Sequence, residues 1–166
     1  DTEESRALFS QGFYGKPIGI AKPKQNEFNT PIVLDLLEGY YLFSKKRIHI
    51  LKDGNKISKK TLLDICNAEY VQFAEKLLVY VKLREAGFVV TPGIKFGADF
   101  AAYERGPGLD HAPYLVRVVT ANTKISSTDI VLAGRLATTV RKQFIIAVPD
   151  LVNGDASFLG FDWWRA

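Results

Sequence analysis

Apolar positions recur with helical spacing through much of the first half of the chain and with strand spacing through most of the second. A turn-rich entry comes first, Gly12-Phe13-Tyr14-Gly15-Lys16-Pro17. Its glycines permit tight backbone geometry, but the spacing is not that of a phosphate loop. Thr30 as N-cap and Pro31 at the first helical position predict a helix with Leu34, Leu37, Tyr41 and Leu42 on one side and Gly39 inside it. Residues 47–51 alternate and end at Asp53-Gly54, which predicts a strand and a hairpin turn. His49 reads there as a half-exposed strand residue rather than a ligand or base. Ser58 caps a short predicted helix over 59–67. A longer one follows over 69–86, with Val71, Ala74, Leu77, Leu78 and Val81 on one face and Gly87 just past its end.

Beyond Gly87 the period changes. Residues 88–91 and 94–103 read as strands separated by a turn at Pro92-Gly93. Gly106-Pro107-Gly108 forces a loop, and residues 114–120 resume as a third strand. Ser126 or Ser127 then caps a helix that runs to about residue 141, with Asp129 complementing its N-terminal dipole. Ile130, Ala133, Ala137 and Val140 recur on one side of it. Residues 144–148 form a near-continuous apolar run, the pattern of a central strand, and 157–164 the last strand. Strands, a helix and more strands imply an α+β fold, a sheet with helices packed on it. No Pro/Gly-rich linker separates the halves. The boundary is placed within the second long helix, giving domains at residues 1–75 and 76–166.

Composition changes this picture little. Hydrophobic residues make up 47% and charged residues 24% of 166 residues, within the range of globular domains. No apolar run approaches the roughly 18 residues needed to cross a bilayer, so no membrane role is expected. The polar start, residues 1–6, has no secretory pattern. Methionine is absent from the whole sequence. Cys66 is the only cysteine and reads as a small buried hydrophobe on a helix, consistent with an intracellular, cytoplasmic protein.

Charge is more informative. The net charge is +4, yet residues 45–60 hold seven basic residues against one acid, Asp53. Such a segment attracts polyanions by counterion release, although a solvated lysine-rich surface has the same composition.

Candidate chemistry gathers after the period change. Tyr103 falls where a predicted strand ends, His111 falls in or just after the Gly-Pro-Gly loop, and Lys142 follows the last predicted helix. Loops held by two strands commonly carry reacting groups. Cleaving RNA without metal needs a base for the 2′-OH, an acid for the departing 5′-oxygen and a cation for the phosphoryl oxygens. Tyrosine serves as base if nearby cations lower its ordinary value of about 10. Histidine suits the acid role, and lysine is a compact point charge for a developing oxyanion. Arg135 and Lys142 are seven residues apart and share nearly one face if the helix persists that far.

The motif Y-E-R-G-P-G-x-D-H-x-x-Y-L-V-R-V at 103–118, with Arg135, the V-R-K at 140–142 and the GFYGKP near the start, resembles the archaeal tRNA-intron endonucleases over nearly the whole chain. The resemblance implies a small N-terminal α/β domain and a C-terminal nuclease-like domain with a mixed central β-sheet flanked by helices. It implies metal- and cofactor-independent excision of introns from precursor tRNA at a bulge-helix-bulge motif. The chemistry is a lyase-type phosphotransfer that leaves 2′,3′-cyclic phosphate and 5′-OH ends. Tyr103, His111 and Lys142 match the family's catalytic residues, and Arg135 matches an arginine that clamps a flipped base. Arg165, the only basic residue after Lys142, is matched to the second clamping arginine. The turn at 150–155, with Asp150 and Asp155, matches a loop that docks in a basic pocket of a neighbouring subunit. Homo-oligomers (dimer or tetramer) or a heterotetramer with a structural subunit are therefore expected. The aromatic residues Phe158, Phe161, Trp163 and Trp164 either pair strands across a dimer or belong to a core.

Two rivals remain open. A metal-dependent, restriction-type nuclease wants an acid followed by acid-x-Lys. Asp99 and Glu104 are present, but position 106 is Gly. A non-catalytic RNA-binding or structural subunit would not need Tyr103 and His111 beside a phosphate-binding lysine.

Overall fold

The computed structural model describes residues 1–20, 23 and 27–161. The chain divides into two compact units, Asp1–Leu77 and Leu78–Ala166.

In the first unit, α1 (Thr2–Ser10) leads into a small antiparallel pair, β1 (Lys16–Pro17) with β2 (Ile32–Val33). Thr30 and Pro31 therefore precede a strand rather than cap a helix. The helix α2 (Leu36–Ser44) starts later, at Asp35. Asp35 and Glu38 form a reciprocal capping box, which satisfies the first-turn amides better than Thr30 would. Glu38 is buried, and its second carboxylate oxygen accepts from the Gly15 amide at 3.2 Å, so one side chain both caps α2 and ties down the glycine-rich entry. Phe9 meets Phe13 and Phe28 edge-on, each at 5.3 Å between ring centroids.

The hairpin β3 (Leu51–Lys52) and β4 (Asn55–Lys56) turns at Asp53-Gly54, both with positive φ as a type I′ turn requires. Residues 47–50 lie outside it. His49 is an exposed loop residue, because strand pairing reaches only two residues on each side. Ser58 caps α3 (Lys59–Glu69) through its hydroxyl, as expected. Cys66 on α3 is fully buried, and burial followed by the Asp35 carboxylate pushes its thiol up, which leaves it an inert packing group.

The predicted helix 69–86 is interrupted. Gln72 takes a left-handed conformation (φ 57°), and α4 (Phe73–Glu85) begins after it. The buried residues of α4 are Phe73, Val79, Tyr80 and Leu83, whereas Val71 and Ala74 are exposed. The break rotates the buried face away from the one read off the spacing. Gly87 (φ 93°) ends α4 in a Schellman arrangement: its amide donates to Arg84 and that of Phe88 to Leu83.

The second unit carries a five-stranded sheet in the order β5 (Val89–Pro92), β6 (Phe100–Tyr103), β7 (Tyr114–Val118), β8 (Gln143–Asp150), β9 (Asp155–Gly160). All pairs are antiparallel except β7 with β8, whose parallel pairing needs the crossover helix α5 (Ser127–Thr139). The sheet is thus mixed and the fold α+β. Residues 94–98 do not extend β6. A 3₁₀ turn (Ile94–Phe96) takes their place, because Gly93 packs so closely on Phe100 that a Cβ there would meet its backbone at 2.8 Å. The core of this unit includes Ala101, Ala112, Leu115, Phe144 and Ile146, with Phe96 and Tyr103 half-buried against it. Among the described residues, no helix is long and apolar enough to cross a membrane.

Candidate active site

The site is built by the register of three neighbouring strands. Ala102 of β6 pairs with Tyr114 of β7, and Tyr114 pairs with Gln143 of β8. Tyr103 lies one residue past the first of these pairs and Lys142 one residue before the second. Both therefore stand at the same end of the sheet, on opposite sides of the chain entering β7. Adjacent strands are about 4.8 Å apart, which puts the two backbones roughly 10 Å from each other. The Gln143 amide donates to the carbonyl of Pro113 at 2.7 Å, extending the ladder to the edge of the site.

His111 is delivered by the loop between β6 and β7. Gly106 and Gly108 hold φ of 132° and 86°, values open to glycine at little cost. Asp110 closes the loop. Its two carboxylate oxygens accept from the amides of Arg105 and Gly106, each at 2.9 Å. The Asp110 amide in turn donates to the Gly106 carbonyl at 3.2 Å. The next residue, His111, is exposed, and among the described residues its imidazole makes no hydrogen bond. Ala112 returns to the core, 2% exposed, and anchors the segment from the other side.

Lys142 is half-buried. Its ammonium donates to the carbonyl oxygen of Ala112 and lies 5.4 Å from the centre of the Phe96 ring. Burial, then the neighbouring Lys95, hold its pKa below the ordinary lysine value, while the Asp110 carboxylate opposes them. Tyr103 packs on the same core cluster as Phe96. The structure thus gathers Tyr103, His111 and Lys142 at one end of the sheet, with an exposed imidazole, a half-buried phenol and a half-buried ammonium. Such a set can offer a proton acceptor, a proton donor and a fixed positive charge to one phosphodiester.

Arg135 is exposed on α5, but the shared helical face does not survive. Thr138 and Thr139 bond back to the carbonyls of Gly134 and Arg135, α5 stops at Thr139, and Arg141 takes a left-handed φ of 54°. Lys142 follows that reversal and is placed by β8, not by the helix. Ser126 caps α5 reciprocally with Asp129, as the sequence suggests, and those bonds lower the Asp129 pKa. Arg165, Trp163 and Trp164 lie outside the described residues. Phe158 is 43% exposed on β9, and Phe161 is half-buried against Phe144.

The acidic turn joins β8 to β9. Asp150 spends its carboxylate within the turn, accepting from the amides of Val152 and Asn153 and from the Asn153 side chain. Asp155 pairs with Lys82 at 2.8 Å. These bonds hold both acids' pKa values down. The turn raises Leu151 and Val152, the latter 94% exposed.

Asp99, needed by a metal-dependent reading, accepts from the Val118 amide at 2.8 Å and straps β6 to β7. Among the described residues, no group of three His, Cys, Asp or Glu side chains is placed to hold a metal ion. Sequence spacing missed Lys95 and Phe96, because a 3₁₀ turn has no period that separates it from a strand over three residues. Asp110 had a usable signal, an acid two residues after a glycine pair and immediately before the histidine.

Residues 73–156 match the catalytic C-terminal domain of the tRNA intron endonucleases, and residues 1–63 match the N-terminal domain of the same family. The tRNA-splicing endonuclease of Sulfurisphaera tokodaii is 42% identical over 164 residues, covering 98% of this chain and 91% of that protein. Those of Hyperthermus butylicus (40%, covering 98% and 91%) and Saccharolobus solfataricus (39%, covering 97% and 90%) are similar over the same extent. With both domains matched and relatives aligned over nearly the whole of this chain and nine-tenths of their own length, the chain belongs to the tRNA intron endonuclease family.

Proposed function

We propose that this chain is the catalytic subunit of an endonuclease that excises introns from precursor tRNA at a bulge-helix-bulge motif, by metal-independent phosphotransfer. The observation that carries the reading is the placement of Tyr103 and Lys142 on either side of the strand entry that His111 precedes. Tyr103, as phenolate, takes the proton of the 2′-OH, whose oxygen bonds to the adjacent phosphorus. The bond from phosphorus to the 5′-oxygen breaks, and His111, as imidazolium, gives that oxygen its proton. The products are a 2′,3′-cyclic phosphate and a free 5′-OH. Lys142 offsets the charge that builds on the non-bridging oxygens. The proton taken and the proton given balance: the single negative charge of the scissile diester stays on the cyclic phosphate, the 5′-OH is neutral, and the site is left with a neutral phenol and a neutral imidazole.

Arg135 binds a splayed bulge base by stacking its guanidinium plane, a mode suited to unpaired nucleotides. The Asp150–Asp155 turn docks against a neighbouring subunit, in a homo-oligomer or with a structural partner, and the assembly works in the cytoplasm. The test is cleavage of a synthetic bulge-helix-bulge RNA in EDTA, with the product ends identified by mass. Cyclic phosphate ends formed at undiminished rate are expected. Cleavage abolished by EDTA, or 5′-phosphate ends, would overturn the reading.

A further inference from the structure

We infer that Lys95 is a second phosphate-binding cation of this site, which takes the phosphate next to the scissile one. The geometry centres on Phe96. The Lys95 ammonium lies 5.0 Å and the Lys142 ammonium 5.4 Å from the centre of that one ring. The two charges are therefore separated by no more than the sum of those distances. The ring is half-buried against the sheet core, so it is a fixed platform for both. Lys95 itself is exposed at the middle of the Ile94–Phe96 turn.

Two ammonium groups placed this close repel each other, and the repulsion contributes to the lowered pKa of Lys142. Among the described residues, neither is in an ion pair with a carboxylate. A cation attracted to a ring face recovers only a modest part of that cost at an exposed position. The arrangement is satisfied when an anion reaches both ammonium groups, and successive phosphates of an RNA strand supply anionic charge at short intervals. The turn is built to stay in place. Gly93 is pressed on Phe100, Gly97 closes the turn at φ 66°, and the Phe96 and Gly97 amides donate to the carbonyls of Gly93 and Ile94. Lys142 meets the scissile phosphoryl group, and Lys95, farther out on the same platform, meets its neighbour and holds the strand in register.

This inference rests on the active-site reading above, and the experiment separates the two. Lys95→Met keeps the aliphatic stem over Phe96 and removes the charge; Lys95→Arg keeps a charge. Each purified protein is titrated with a bulge-helix-bulge RNA carrying a 2′-deoxy substitution at the scissile position, over a series of salt concentrations. Lys95→Met is expected to weaken binding about tenfold to a hundredfold, the scale of a hydrogen bond to a charged group. It should also lower the slope of log affinity against log salt by just under one, as loss of one phosphate contact requires. Lys95→Arg should restore both. Wild-type affinity and slope for Lys95→Met, or a loss that Lys95→Arg leaves unrestored, would overturn the inference and leave Lys95 as a cover for Phe96. His111→Ala, assayed for cleavage of the unmodified RNA alongside, reads the parent proposal. Cleavage like wild type there sinks the active-site reading, whereas the salt titration decides Lys95 whether or not the RNA is cut.

Discussion

The ammonium of Lys142 donates to the carbonyl oxygen of Ala112, so the candidate phosphate-binding cation is fixed to the residue that follows His111. His111 and Lys142 are therefore positioned together, and a change at the exposed imidazole should be felt as chemistry rather than as binding. Replacing His111 with Ala should slow single-turnover cleavage at least roughly a hundredfold, the scale of one lost general acid. The imidazole is exposed and bonds to no other described residue, so folding and RNA affinity should hold. Near-normal cleavage by this variant would remove His111 from the site.

Asp110 closes the loop that ends at His111, so on the proposed mechanism it acts as a positioning residue. Asp110→Asn keeps the shape but cannot offer two carboxylate oxygens to the amides of Arg105 and Gly106. Cleavage should fall by about tenfold or more, since small misplacements of a reacting group are costly. The amides of Arg105 and Gly106 should lose protection from hydrogen exchange at the same time. A slower enzyme with unchanged protection at those amides would show that Asp110 acts otherwise.

The lowered pKa of Lys142 sets a pH dependence. The proposed role of Lys142 requires the protonated amine, so activity should decline on the alkaline side below the ordinary lysine value of 10.5. For stability the sign is reversed. Between the folded pKa and 10.5 the unfolded chain binds more protons at this group, so its unfavourable contribution is full below that window and fades as pH rises through it. Lys142→Arg should move the alkaline limb of the pH–rate profile upward, because guanidinium stays charged. An unmoved limb would assign it to another group.

The acidic turn tests assembly. Asp150 is engaged within the turn and Asp155 with Lys82, an exposed pair that solvent screens strongly. Both remain acidic and exposed in a basic protein. On the proposed docking, replacing both with Lys should weaken assembly, because like charge would then meet the basic partner surface that the proposal requires. Light scattering at low concentration reads the mass, and an unchanged mass would rule out this docking role.

Apart from the 3₁₀ turn at Ile94–Phe96, element types in the sheet half were legible because strand patterning and glycine punctuation agree there. The Gly-Pro-Gly loop, the run at 144–148 and the Ser126 cap each have one local cause. The errors have causes that spacing does not carry. Helix α2 starts at Asp35 because Glu38 completes a capping box there and binds the Gly15 amide, a contact across 23 residues. The long second helix breaks at Gln72, a left-handed position on a residue with no special preference for it. Tyr103, His111 and Lys142 were readable as residue types beside strand ends. Their meeting was not, since it depends on β7 pairing antiparallel to β6 and parallel to β8. Lys95 stayed hidden because its significance comes from sharing a ring with Lys142.

Arg135 provides the last test, and the structure alters its premise. A helix continuing to Lys142 would have made the two side chains neighbours on one face. Because α5 stops at Thr139 and the chain reverses at Arg141, Arg135 is placed by the helix and Lys142 by the sheet. Their contributions should then separate cleanly in variants, since residues on independent supports perturb each other little. Arg135→Lys keeps the charge but loses the planar stacking surface. If Arg135 clamps a bulged base, it holds the scissile linkage in line, and an error of about 1 Å costs roughly a hundredfold. Single-turnover cleavage of a bulge-helix-bulge RNA should therefore fall sharply in Arg135→Lys, while salt-dependent binding changes little. Cleavage of an RNA with an abasic site at the bulge should be equally slow in wild type and variant, because neither has a base to clamp. If Arg135→Lys instead cleaves the intact RNA like wild type, stacking is not its role, and Arg135 is a solvated surface residue of α5.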